Sequence, residues 1–134
     1  MNYIFLLAFT LVLYGCSEAT DLKAMSVLNL YQGQDVSVSL SPAEVPVEQI
    51  LTWRVQLSEG WQIKKASVVG VSMSMGTIPL QFKSQGGVPH LFIAEMVLGA
   101  CSQPKMQWQL QLTLTHVTED EQQLLLPFYS SWGL

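Results

Sequence analysis

Apolar and polar residues alternate along most of the chain. Serines separate Val36, Val38 and Leu40, while Thr52, Arg54 and Gln56 separate Leu51, Trp53, Val55 and Leu57. A period of two sends one set to each face of a pleated strand, so each run predicts a half-buried β-strand. Ser58-Glu59-Gly60 predicts a turn, after which Trp61 and Ile63 open a strand continuing through Val69, Val71, Met73 and Met75 to Gly76. Ile78, Leu80 and Phe82 predict a short strand, and Pro79, which has no N–H, places it at a sheet edge. His90 to Leu98 is apolar at both parities, the pattern of a strand covered on both faces. The clearest alternation sets Met106, Trp108, Leu110, Leu112 and Leu114 against Gln107, Gln109, Gln111, Thr113 and Thr115. Glu119-Asp120-Glu121 predicts a turn into a last strand with Leu124, Leu126 and Phe128.

The segments between these runs, Pro42 to Pro46, Ser84 to Pro89 and Gly99 to Pro104, predict loops. About seven short strands with frequent turn signals predict an all-β, immunoglobulin-like antiparallel β-sandwich over residues 27–134. Trp53, Val55, Val71, Trp108, Leu110 and Leu112 belong to the more apolar parity of their strands and are expected to face inward.

The N-terminus follows a different rule. Tyr3 to Leu13 is almost unbroken apolar sequence and ends at Leu13-Tyr14-Gly15-Cys16. A helical span needs about 20 apolar residues, so this run is too short to cross a bilayer. A short apolar stretch, a small residue and then a cysteine is the pattern of a bacterial lipoprotein signal. Residues 1–15 are therefore expected to be a lipoprotein signal peptide, Cys16 the acylated first residue of the mature protein, and residues 16–26 a tether. The expected location is periplasmic, lipid-anchored to a bacterial membrane, with Ser17 after the cysteine favouring the outer membrane.

Charged residues make up 12% of the chain, the formal net charge is −4, and no basic cluster exceeds Lys64-Lys65, so a nucleic-acid partner is not expected. No Gly-x-Ser-x-Gly, phosphate-binding loop or Cys-x-x-Cys is present, and His90 and His116 sit in no catalytic motif, so the chain does not read as an enzyme. With Cys16 acylated, Cys101 has no intramolecular disulfide partner. A lone thiol in an oxidising compartment is buried, paired with another molecule, or bound to something.

Alternating strand directions collect the sulfur residues. Met75, the Leu98–Pro104 loop and Met106 fall at one end of the expected sandwich, and His90 and His116 fall at the other. Thiolate and thioether ligands select Cu(I). Met73, Met75, Cys101 and Met106 are thus candidate metal ligands, although Met73 and Met75 on a regular strand would be about 6.6 Å apart and need a break near Gly76 to converge. The competing reading makes the same residues core filling, since Met packs irregular gaps and free Cys is often buried. The chain would then be a non-metal protein-interaction module of a cell-envelope complex.

Two strings, Val71-Ser72-Met73-Ser74-Met75-Gly76-Thr77-Ile78-Pro79 and Leu98-Gly99-Ala100-Cys101-Ser102-Gln103-Pro104-Lys105-Met106-Gln107-Trp108, resemble small periplasmic copper-handling accessory proteins of the YtkA-like kind from Gram-negative bacteria. The resemblance covers about a third of the mature chain. It implies an immunoglobulin-like sandwich, Met73 and Met75 as Met-x-Met ligands of Cu(I) with Cys101 and Met106 as partners, and an envelope or oxidase-assembly protein as the recipient. Neither His90 nor His116 lies near a Met, so the histidine-beside-methionine pattern of such copper chaperones is missing here.

Overall fold

A computed structural model describes residues 25–132. Cys16, the signal peptide and most of the tether lie outside the described residues. Nine strands follow in order: β1 Leu28–Gln32, β2 Val36–Ser41, β3 Ile50–Leu57, β4 Trp61–Gly70, β5 Thr77–Pro79, β6 Lys83–Ser84, β7 Leu91–Val97, β8 Lys105–His116 and β9 Glu121–Ser131. They form two sheets, β1-β2-β3-β7-β6 and β5-β4-β8-β9, in which every strand pairing is antiparallel. The immunoglobulin-like β-sandwich expected from the alternation is the fold of the protein.

The inner faces are the apolar parities. Trp53, Val55, Trp108, Leu110 and Leu112 are all buried, as their alternation requires. Val71 is the exception: a bulge in β4 between Ile63 and Lys65 moves the inward parity to Ala66 and Val68, opposite Leu112 and Leu110, so Val71, which shares the outer parity of Val69 and lies in the loop beyond Gly70, is half exposed. The two sheets lock across the core where the Trp53 ring of β3 meets Phe128 of β9 edge-on, with centroids 5.2 Å apart at 79°. Both buried indoles have partners: Trp53 Nε1 donates to Met96 Sδ and Trp108 Nε1 donates to Ser130 Oγ. Among the described residues, no buried side-chain polar atom lacks a hydrogen bond.

Three elements differ from the sequence reading. Leu28–Gln32 adds an edge strand before Val36. The run expected as one strand over 78–82 instead passes between layers, with β5 at the edge of one sheet and β6 at the edge of the other. Pro79 keeps its edge position, where a missing N–H leaves no ladder bond unmade. β7 is internal, but its neighbour β6 has two residues, and Glu95 and Val97 remain exposed on its outer face.

The loop after β2 closes one end of the sandwich. Val45 and Val47 are buried there; Val47 N donates to Ser131 O, and Ser131 N donates to Val45 O. Val45 adopts φ 48°, an unfavourable conformation for a β-branched residue. These hydrogen bonds and the burial of its side chain hold it there.

Candidate functional site

The end of the sandwich closed by Val45 also carries the sulfur residues. The starts of β3 and β8 and the ends of β4, β7 and β9 meet there, as the pairings Ile50 with Val97, Gly70 with Trp108 and Lys105 with Ser131 show. Two loops cover it, 71–76 after β4 and 98–104 after β7.

Loop 71–76 is shaped by its first residues. The N–H groups of Val71 and Ser72 both donate to the Gln107 carbonyl, at 2.8 and 3.3 Å, and Gln107 N donates in return to Ser72 Oγ at 2.8 Å. Two successive amides on one carbonyl cannot continue a strand ladder, so the chain turns. It then folds back over Gly70, where a Cβ would stand 2.5 Å from the Met73 carbonyl oxygen and 3.3 Å from Met75 Cβ. Gly70 is thus required by a close backbone approach. Gly76, at φ 77°, returns the chain to β5.

The result brings Met75 and Cys101 together, with Met75 Sδ 2.9 Å from Cys101 Sγ. Cys101 is a free thiol, half-buried, with one side against the core cluster and the other toward the Met75 thioether. Met75 is 36% exposed and Met73, on the same loop, 39% exposed. Met106 is 1% exposed and belongs to the core below, where it continues the inward face of β8. Of the four candidate ligands, Met75 and Cys101 are in contact, Met73 lies on the loop that carries Met75, and Met106 is presented to the interior.

The pair is chemically soft. A thiol and a thioether offer polarisable lone pairs to a monovalent, thiophilic ion such as Cu(I). Among the described residues, no three His, Cys, Asp or Glu side chains gather as a harder ion would require. His116 is at the opposite end, where its ring packs on Trp61 at 5.1 Å and Nδ1 meets Thr118 Oγ1 at 2.8 Å. His90, at φ 57°, opens the turn into β7 at that same end.

Gly70 and Ser72 escaped the sequence reading. The alternation through Met75 assigned them to a regular strand, although Gly70, in the middle of the expected strand, was a visible interruption. Compared with protein-family models, curated proteins and solved structures, the chain matches none.

Proposed function

We propose that the protein is a periplasmic accessory lipoprotein, anchored through Cys16, that binds or passes on Cu(I) at Met75 and Cys101, with Met73 as the third ligand. The contact of Met75 Sδ with Cys101 Sγ, made by two loops far apart in sequence, carries this reading. A core-filling methionine has no need of a partly exposed neighbour thiol, whereas a soft-metal site needs this pairing. Thiolate coordination also answers the problem of an unpaired cysteine in an oxidising compartment, because the metal takes up the reactive lone pair. Met106 is buried in the core, which leaves the exposed thioethers to Met73 and Met75. An envelope protein or an oxidase-assembly factor would receive the ion.

Anaerobic titration of the reduced protein against a chromogenic Cu(I) chelator tests the reading. One Cu(I) per chain is expected, with alkylation of Cys101 slowed in the loaded form. Absence of a stoichiometric site would return the pair to loop packing and make the domain a non-metal interaction module of a cell-envelope complex.

A further inference from the structure

The exposed apolar side chains are unevenly distributed. Of the twelve large ones on the described residues, eight lie at the sulfur end or on the segment leading into it; Val88 and Val117 lie at the opposite end, and Leu125 and Tyr129 on the outer face of β9. The rim consists of Ile50, Val71, Met73, Met75, Val97 and Trp132, and Ile50 and Val97 are cross-strand neighbours. Acidic residues show the opposite bias. Of the eight acidic residues among those described, Asp35, Glu59, Glu119, Asp120 and Glu121 lie in or beside the turns of the histidine end, with Lys64 and Lys65 nearby, while Glu44, Glu48 and Glu95 lie nearer the sulfur end, with Lys105 beside them.

The N-terminal segment reaches the domain at the apolar end. Ser26 Oγ donates to Glu44 Oε2 at 2.7 Å and accepts from Ala43 N at 3.0 Å, which fixes the incoming chain beside the loop that closes the sulfur pole. The ten residue-to-residue steps from Cys16 to Ser26 span at most about 35 Å when fully extended. The twelve-residue β8 runs the length of the sandwich, about 37 Å. A bilayer anchor at Cys16 therefore favours contact at the sulfur end and leaves the acidic end turned away.

We infer that the sulfur-bearing end is a membrane-docking face whose apolar rim rests in the headgroup–acyl boundary of the bilayer holding the anchor. This rests on the anchor part of the function proposed above and is independent of copper. Apolar contact supplies the attraction, and the tether raises the local concentration so that a weak contact suffices. Distance of the acidic end from anionic headgroups removes an opposing repulsion. The Met75–Cys101 pair then opens toward the membrane plane, where a membrane-embedded acceptor would meet it.

The four tryptophans provide the test, since Trp53 and Trp108 are buried, Trp61 is at the acidic end and Trp132 at the apolar end. The chain from residue 17, which leaves Cys101 as its one cysteine, is held by an N-terminal hexahistidine on phosphatidylethanolamine–phosphatidylglycerol vesicles with nickel-chelating lipid and measured with brominated acyl chains as quencher. Metal-free protein should show a quenched component that disappears in Trp132→Phe. Ile50→Thr with Val97→Thr should reduce it by about half or more, with unchanged circular dichroism. No quenching, or quenching that survives Trp132→Phe, overturns the docking face. As a second readout, polyethylene-glycol maleimide should alkylate Cys101 more slowly on vesicles than in solution. Slowing in native envelopes but not on protein-free vesicles overturns the lipid assignment and gives the face to an integral membrane protein. Intact mass of the protein extracted from cells reports acylation separately, so a failed anchor and a failed docking face are told apart.

Discussion

Trp108 combines two requirements of a buried indole: a large apolar surface within the core and an acceptor, Ser130 Oγ, for its N–H at 3.0 Å. Trp108→Ala should cost about 3–5 kcal/mol by loss of burial and a residual cavity. Gln109→Ala, on the outer parity of the same strand, should stay within about 0.5 kcal/mol. Equal shifts of the urea midpoint would reverse the register of β8. Methionine shows the same dependence on position. Met106 and Met75 are chemically identical, yet one is buried in β8 and the other meets a thiol at the surface. Met75→Leu and Met106→Leu should each remain within about 1.5 kcal/mol of the parent in stability, as near-isosteric changes. Only Met75→Leu should weaken the protection of Cys101 by Cu(I), read as the alkylation rate under a fixed excess of competing chelator. Equal loss in both variants would place the ion deeper, against the core.

At the scale of elements, the candidate site depends on the end of one strand. The alternation of β8 was fully legible because burial on one face imposes it, and every expected inward residue from Met106 to Leu114 is buried. The end of β4 was not legible. Val71, Met73 and Met75 keep the parity of Val69, and no periodicity reveals that two amides will share the Gln107 carbonyl. The short strands were hidden for a related reason: Thr77–Pro79 and Lys83–Ser84 pair with different sheets, a matter of tertiary contact. Convergence of Met73 and Met75 was expected to need a break near Gly76, whereas the close backbone approach that folds this loop back is at Gly70, six residues earlier. Gly70→Ala should force the Met73 carbonyl away from its 2.5 Å approach and cost about 1–3 kcal/mol through local overpacking. Its more telling effect should be on the pair. Loop 71–76 would lift, and Cys101 in the metal-free protein should alkylate faster. A destabilised variant with unchanged Cys101 reactivity would show that Gly70 does not position Met75.

For the whole molecule, the two ends of one sandwich carry different chemistry. The His116–Thr118–Asp120 hydrogen bonds belong to a turn that reverses β8 into β9, and the Lys64–Glu121 ion pair beside it is more than half exposed at both side chains. Such a pair contributes about 0–1 kcal/mol, so that end is held chiefly by its turns and strand pairing. The sulfur end contains two loops, the incoming chain and the apolar rim, and under the proposed function its relation to the bilayer would depend on Cys16. Acyl chains on one cysteine add about 0.8 kcal/mol for each buried CH₂, far more than the rim alone supplies. Cys16→Ser should therefore release the protein from membranes or leave it unprocessed, and released protein should retain the stability of the sandwich. Fractionation with intact-mass measurement checks this, and a processed, acyl-free Cys16→Ser protein still firmly bound to membranes would contradict it. Weak, salt-insensitive vesicle association of the released domain would instead be the rim acting without its anchor. On the proposed reading the two contributions differ in kind: acyl chains would hold the protein at the membrane, whereas the rim would determine which end faces it.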